Sequence, residues 1–166
     1  MKNIKKILIA LVIFTTGFIS QAQVAHINSE ELVAAMPETK AMQDQMKNLG
    51  QNYDTEYKAQ AQALQAKLQK YQSEATTKSN EENEKRQAEV AEIQQKLQLY
   101  LRSAQEELQK KEFELLKPII EKAQKAIQDV AKEKGIKYVL DSAPGKGLIV
   151  FEGDNLMSAV KAKLGM

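Results

Sequence analysis

A few polar residues of the sequence are of types that could bind a metal ion or a phosphate group. The only histidine, His26, stands without a cysteine or a second histidine anywhere in the chain. A lone histidine is far more often a structural residue than a metal ligand. The Gly145-Lys146-Gly147 segment differs from a phosphate-binding loop, which is longer and ends in Lys-Ser or Lys-Thr at a helix start. These residues therefore predict neither a metal site nor a nucleotide site.

The remaining candidates for catalysis are two aspartates and a serine near the C-terminal end. Asp141 ends a predicted strand and Asp154 begins a predicted helix, and neither has a second carboxylate at a spacing suited to acid-base chemistry. Ser142 follows Asp141, but the sequence places no histidine beside it to act as its base, since His26 is the only one. We therefore predict that the protein is not an enzyme and has no catalytic residue, metal ion or cofactor.

The N-terminal residues have the pattern of a secretory signal peptide. Lys2, Lys5 and Lys6 precede an apolar run over residues 7–19, and Ser20-Gln21-Ala22 places small residues where signal peptidase cleaves. The run is shorter than the ~20 residues that span a bilayer. We predict a signal peptide over residues 1–22, cleaved after Ala22, and export of the rest. The absence of cysteine excludes a lipidated N-terminal cysteine and disulfide bonds.

The charge balance after the signal argues against nucleic acid as a partner. The signal holds three of the 24 basic residues and no acidic one, so 21 basic residues remain against 22 acidic ones. Nucleic-acid binding is typical of a clustered basic face. With 28% charged and 5% aromatic residues, the composition favours an elongated helical protein with one small core.

The middle of the chain predicts two long helices that form an antiparallel coiled-coil hairpin. Between Gln51 and Lys134 there is no glycine and one proline, so little interrupts a helix. Apolar side chains recur at steps of three or four, as in a coiled-coil seam: Met42, Met46, Leu49, Tyr53, Tyr57, Ala61, Leu64, Leu68 and Tyr71, then Val90, Ile93, Leu97, Leu101, Ala104, Leu108 and Leu115. We assign residues 41–117 to this arm and place its tip near residues 73–82, where the periodicity is lost.

The seam of this arm is diluted by small and polar residues, among them Ala61, Ala104 and several glutamines. A pure spacer would keep leucine or isoleucine at most seam positions, so we predict that apolar side chains of the arm are left to face a bound partner. The predicted partner-facing residues are Met46, Leu49, Tyr53, Tyr57, Leu64, Leu68, Tyr71, Leu97, Tyr100, Leu101 and Leu108.

The two ends of the chain predict a small α+β body over residues 23–40 and 118–166. Strands are expected over residues 24–27, 136–141 and 148–151, the last two joined by a hairpin turn at Pro144-Gly145-Lys146-Gly147. Asn28-Ser29 and Gly153-Asp154 are expected to cap helices, and Gly135 to end the long helix. Because two short strands alone are marginal, the strands from the two ends must meet.

A body this small predicts an oligomer, because it lies below the size at which a single core is comfortably stable. The densest apolar residues after the signal lie on its strands, and burial of such residues drives association. The residues predicted for oligomerisation are Val24, Ile27, Ile136, Tyr138, Val139, Leu140, Leu148, Ile149, Val150 and Phe151.

Several segments of the sequence resemble the Skp/OmpH family of periplasmic chaperones. The segment Val-Ala-His-Ile-Asn at 24–28 resembles the family's first strand, and Leu-Gln-Ala-Lys-Leu-Gln-Lys at 64–70 resembles its descending arm. The most specific segment is residues 118–135, from Pro118-Ile119-Ile120 to Gly135, which leads into Tyr-Val-Leu-Asp at 138–141. The resemblance covers the whole chain after the signal.

The resemblance implies a trimeric, jellyfish-like assembly, in which strands of three protomers form the body and three hairpins hang as tentacles around a cavity. It further implies an ATP-independent periplasmic holdase that binds unfolded outer-membrane β-barrel proteins and prevents their aggregation. The alternative is a structural periplasmic coiled-coil adaptor or spacer that docks one folded partner. The chain departs from the family's basic tips, since residues 73–89 hold five acidic and three basic residues, so contact with a membrane surface stays open.

Overall fold

The computed structural model describes residues 23–166, which are mostly helical with one small sheet. The predicted mostly α, α+β fold class is thereby confirmed, whereas the predicted signal peptide at 1–22 lies outside the described residues. The elements are β1 (Val24–Ile27), α1 (Ser29–Ala35), α2 (Pro37–Glu74), a 3-10 turn (Ala75–Thr77), α3 (Asn80–Glu133), β2 (Tyr138–Asp141), β3 (Asp154–Asn155) and α4 (Met157–Lys163).

The chain divides into two compact units. The first comprises residues 23–32 together with Lys125–Met166, and the second comprises Val33–Gln124.

The first unit is built around a three-stranded sheet in the order β2-β1-β3. Both outer strands run parallel to β1: Val24 pairs with Tyr138 and Ile27 with Asp141, while Ala25 pairs with Asp154. Strands from the two ends of the chain therefore meet, as the sequence predicts. The core of the unit is formed by buried apolar residues from strands, helices and loops: Ala25, Ile27, Leu32, Ala126, Val130, Ala131, Ala143, Leu156 and Val160.

Two of the predicted helix ends are confirmed by their hydrogen bonds. The Asn28 side chain accepts a hydrogen bond from the Glu31 backbone N–H at 2.9 Å, which caps α1. At the end of α3, Gly135 has φ +68°, a left-handed conformation that glycine adopts without a Cβ penalty. The backbone N–H groups of Gly135 and Ile136 donate to the carbonyls of Lys132 and Ala131, the paired bonds of a Schellman motif.

The predicted strand at residues 148–151 is wrong. These residues are not in a strand, and their backbone pairs with none of the three strands. A turn does form at Pro144-Gly145, where the Lys146 N–H donates to the Ala143 carbonyl, but it does not lead into a hairpin. The outer edge of β2 is not paired with residues 148–151, and the third strand of the sheet is instead formed by Asp154–Asn155, which pair with β1.

Two predictions at neighbouring positions are corrected as well. The second predicted strand begins at Tyr138 rather than Ile136. Asp154 belongs to β3 and does not cap α4; instead the Asn155 side chain accepts a hydrogen bond from the Met157 N–H at 2.9 Å. Because Asp154 pairs with Ala25 of β1, it is not at the start of the helix.

The second unit contains all of α2 and most of α3. Pro37 opens α2 at a position where its missing N–H is not needed, and α3 continues through Pro118. Side chains of the two helices pair along their lengths, and the α3 partner falls in number as the α2 residue rises: Glu38 with Lys122, Tyr53 with Glu107, Glu56 with Tyr100, Lys67 with Glu89, and Glu74 with Arg86. The turn between the helices lies within the predicted tip at 73–82.

Candidate functional site

The contact between α2 and α3 is a seam in which polar side chains take several of the expected apolar places. On α3 the least exposed positions include Leu97, Tyr100 and Ala104, whereas Leu101 is 46% exposed. On α2 the half-buried position is Lys67 rather than Leu68. The seam therefore passes through Tyr100 and Lys67, one residue before each leucine that the periodicity indicates.

Tyrosine and glutamate side chains bridge the two helices in the middle of the seam. Tyr53 donates a hydrogen bond to Glu107, and Tyr100 donates to Glu56 at 2.9 Å. The Tyr53 and Tyr100 rings meet edge to face at 6.1 Å, a favourable aromatic geometry. Desolvation, followed by the hydrogen bond to the Glu56 carboxylate, raises the pKa of Tyr100 to about 12. These bridges fix which residues of the two helices stand opposite each other.

Near the turn, an arginine is enclosed by groups from both helices. Arg86 donates to Glu74 on α2 at 2.9 Å and to Glu82 on α3 at 3.1 Å, and its guanidinium lies 4.5 Å from the centre of the Tyr71 ring. Glu89 accepts hydrogen bonds from Lys67 and Tyr71, and the bond from Lys67 is the main cause of the lowered pKa of Glu89. This cluster joins the two helices beside the turn.

The predicted partner-facing residues fall into three groups by exposure. Leu97 is buried, while Leu68 and Leu101 are exposed. The others are half-buried along the seam: Met46, Leu49, Tyr53, Tyr57, Leu64, Tyr71, Tyr100 and Leu108. Most of the predicted set thus lies between the two helices of one chain, and two leucines are open to a partner.

The largest exposed apolar side chains of α3 were missed by the sequence reasoning. Phe113 is 69% exposed and Leu99 is 54% exposed, yet neither lies on the seam that the periodicity reveals. A search for apolar residues outside the seam positions would have found both. They give the second unit an apolar surface that the helix pair does not use.

The residues predicted for oligomerisation are concentrated at an exposed apolar part of the first unit. Ile149 is 93% exposed and Val150 is 74% exposed; Val24, Tyr138, Leu140 and Phe151 are also exposed. Ile136, Val139 and Leu148 are half-buried, and Ile27 lies in the core. A groove of about 510 Å³ is lined by six of these side chains: Val24, Ile136, Leu140, Leu148, Val150 and Phe151.

His26 and Ser142, which the sequence separates by 116 positions, are neighbours in the structure. The His26 Nδ1 atom lies 3.3 Å from the Ser142 hydroxyl oxygen, so the expectation that no histidine stands beside Ser142 is wrong. A catalytic triad also needs a carboxylate that orients the histidine. Asp141, which directly precedes Ser142, does not fill this role. Its carboxylate accepts hydrogen bonds from the backbone N–H and hydroxyl of Ser29 and from the Ala143 N–H. The ring of His26 packs 4.8 Å from that of Phe151, and the pair joins β1 to the residues after β2.

The described residues offer no cluster for a metal ion. Over residues 23–166, no three histidine, cysteine, aspartate or glutamate side chains come together as a metal ion would need. In the same part of the chain, no helix has the length and apolar character needed to cross a bilayer.

Comparisons with known proteins agree on one family. The family described as "Outer membrane protein (OmpH-like)" matches residues 23–164. The proteins named "Chaperone protein Skp" from Photorhabdus laumondii and Yersinia enterocolitica are 25% and 21% identical over 129 and 134 residues, covering 78% and 81% of this chain and 78% and 82% of theirs.

A solved structure has the same fold. The crystal structure of a candidate outer membrane chaperone (OmpH-like) from Caulobacter crescentus CB15 matches with a TM-score of 0.78 and 19% identity, over 90% of this chain and 87% of that one.

Proposed function

Because this chain belongs to the OmpH-like outer membrane protein family, we propose that it is an ATP-independent holding chaperone that binds unfolded outer-membrane β-barrel proteins and prevents their aggregation. The relatives named Skp chaperones support the chaperone activity. The export signal predicted at residues 1–22 supports a periplasmic location.

The observation that carries this proposal is the exposed apolar surface of the long helices. Leu68, Leu99, Leu101 and Phe113 are exposed on α2 and α3, although the two helices already contact each other through the seam. A barrel precursor in water exposes strands whose apolar faces otherwise pair with other chains. Scattered apolar side chains on a polar helix bind such strands weakly at many points, which suits promiscuous binding and release.

We propose that α2 and α3 form an antiparallel coiled-coil arm over residues 41–117 and that residues 23–40 and 118–166 form the body. As the residue number rises along α2, its partner on α3 falls in number, from Lys122 opposite Glu38 to Arg86 opposite Glu74. This order supports an antiparallel arrangement of the two helices. Among the predicted client contacts, Leu68 and Leu101 bind without rearrangement. The remaining members of that set reach a client where the seam opens.

We further propose a homotrimer assembled through the body. The groove lined by Val24, Ile136 and Phe151, together with the exposed residues Ile149 and Val150, supports it. Contiguous exposed apolar patches on small proteins commonly mark interfaces, and a free sheet edge pairs readily with a segment of another chain. A neighbouring copy of the chain supplies apolar side chains that fill the groove and a sheet edge that pairs with residues 148–151.

The test is an aggregation assay with a urea-unfolded outer-membrane barrel that contains tryptophan. The protein has no tryptophan, so tryptophan emission reports only on the client. Dilution of the client into the protein without nucleotide should suppress light scattering and give a soluble complex of defined native mass. If the client aggregates as it does in buffer, the holding function is wrong and the structural adaptor becomes the better explanation.

A further inference from the structure

The face of α3 that points away from α2 carries its own apolar residues. Successive helix residues are turned by about 100°, so Leu99, Phe113 and Ile120 lie roughly 140° to 200° around the helix from Leu97. Leu97 is 7% exposed and Ala104 and Ile119 are also buried on the α2 side, whereas Leu99, Phe113 and Ile120 are 54%, 69% and 37% exposed. We call Leu99, Phe113 and Ile120 the outer stripe.

The sequence of the outer stripe disfavours a second helix as its partner. The other positions of this face are Arg102 and Glu106, between Leu99 and Phe113, and Lys117, between Phe113 and Ile120, and all three are exposed. A helix–helix seam needs apolar residues at steps of three and four over several heptads. The polar gap therefore leaves isolated apolar points and too little continuous area for a stable contact between two copies.

The length of the outer stripe fits one extended chain segment. Leu99 and Ile120 are 21 positions apart, which is about 31 Å along a helix at 1.5 Å per residue. An extended chain rises about 3.3 Å per residue, so about ten residues span the stripe. A transmembrane β-strand has about 9 to 11 residues, with apolar side chains on alternate positions.

The charge around the outer stripe agrees with an apolar occupant. Arg102 and Glu106 carry opposite charges and lie one helical turn apart, and Lys117, on the same face between Phe113 and Ile120, lies 4.0 Å from Glu121. Opposite charges this close largely cancel and favour neither acidic nor basic segments. Side chains on one face of an extended segment recur about every 6.6 Å, which brings one of them near each apolar residue of the stripe.

Resting on the proposed holding function, we propose that the outer stripe is a docking line for a single unfolded β-strand of a barrel precursor. Phe113 is its central contact, flanked by Leu99 and Ile120. The segment lies along α3 in extended form, with its alternate apolar side chains against the three residues. The contacts that hold a client are then largely outside the α2–α3 seam.

The experiment compares Leu99→Ser/Phe113→Ser with the control Arg102→Ser/Glu106→Ser on the same face. Binding of the urea-unfolded, tryptophan-containing barrel is followed by client emission. Loss of an aromatic and an aliphatic contact should raise the Kd about tenfold or more, while the control stays within about twofold. An unchanged Kd in the stripe variant overturns the outer stripe but leaves the holding function standing. Failure of the unsubstituted protein to bind overturns the function itself.

Two further measurements distinguish a client strand from a second copy of the chain and from a shorter bound segment. Native mass and far-ultraviolet circular dichroism should be the same in both variants, because all four side chains are exposed; a lower native mass in the stripe variant alone would make the stripe an interface between copies. A soluble ten-residue peptide with alternating apolar residues should displace the client at about one-tenth of the concentration that its five-residue half requires. Equal displacement by both peptides would overturn the strand-length match.

Discussion

Asp141 connects the end of β2 to the start of α1. Its two carboxylate oxygens accept hydrogen bonds from the Ser29 N–H at 3.1 Å, the Ser29 hydroxyl at 2.6 Å and the Ala143 N–H at 3.1 Å. Burial alone would raise the pKa of Asp141, but the bonds from Ser29 and Ala143 outweigh it, and the pKa lies below its ordinary value. Hydrogen bonds to an ionised group are stronger than those to a neutral one, so this carboxylate stabilises the folded body.

Replacement of Asp141 by asparagine should lower the free energy of unfolding by about 1 to 3 kcal/mol at neutral pH, because a charged acceptor is lost. A folded-state pKa below the unfolded value means that this stabilisation is present above about pH 4 and is lost as pH falls through the folded pKa. Urea denaturation should therefore show a difference between wild type and Asp141→Asn that is smaller at pH 3 than at pH 7. Asp54→Asn, which removes an exposed carboxylate 2.6 Å from Lys58, is the control. A difference that does not depend on pH would contradict the role of the ionised carboxylate.

The pairing of the long helices depends on a few well-packed positions. Leu97 and Ala104 are buried against the seam, while Leu101 on the same helix is 46% exposed. Periodicity alone places all three on one face. The observed seam uses Tyr100 instead of Leu101, because Tyr100 contacts both the Tyr53 ring and the Glu56 carboxylate. The tyrosine gains aromatic packing and a hydrogen bond that a leucine cannot make.

Two leucines four residues apart therefore give a matched test of the seam. Leu97→Ala should lower the free energy of unfolding by about 2 to 3 kcal/mol, as for a buried leucine, and Leu101→Ala by less than about 1 kcal/mol, as for a partly exposed one. Urea denaturation of both variants at one protomer concentration measures this, since the stability of an oligomer depends on concentration. Equal losses would mean that Leu97 and Leu101 are equally buried in solution, contrary to the structure.

For the whole molecule, the unpaired apolar segment at residues 148–151 is the most consequential feature of the body. Two of its side chains, Ile149 at 93% and Val150 at 74%, are the most exposed large apolar groups of the described residues. Burial of such groups lowers the free energy by about 25 cal/mol per Å² of apolar area. Association that covers them is therefore favourable. The proposed trimer assigns this area to contacts between protomers.

Substitution of Ile149 by aspartate should convert a trimer to monomers, because the new charge would be buried between protomers. The fold of one chain should persist, since Ile149 is 93% exposed within it. Light scattering after size-exclusion chromatography measures the native mass, and circular dichroism checks the helices. Met166→Asp, at another exposed apolar residue, should stay trimeric. A trimer that survives Ile149→Asp would exclude Ile149 from the interface.

Local patterns in the sequence were enough to predict the long helices, the turn between them, the cap at Asn28 and the helix end at Gly135. Each of these depends on residues within a few positions of one another: a periodicity of three to four, a side chain that bonds a backbone group in the next turn, or a glycine that takes a left-handed conformation. The amino-acid sequence of residues 118–141 by itself indicated the family through its resemblance to known members, and the family is confirmed.

Only the tertiary structure decided which distant groups meet. Strand β3 forms at Asp154–Asn155 instead of at the more apolar residues 148–151, and His26 contacts Ser142 across 116 positions. The seam passes through Tyr100 and Lys67 because Glu56 and Glu89 stand opposite them. Strand propensity measures how well a residue fits a half-buried sheet, but a strand also needs a free edge, and that edge is supplied or occupied by residues far away in the chain. A search outside the seam positions finds Phe113 in the sequence, but only the structure shows that its side chain is 69% exposed.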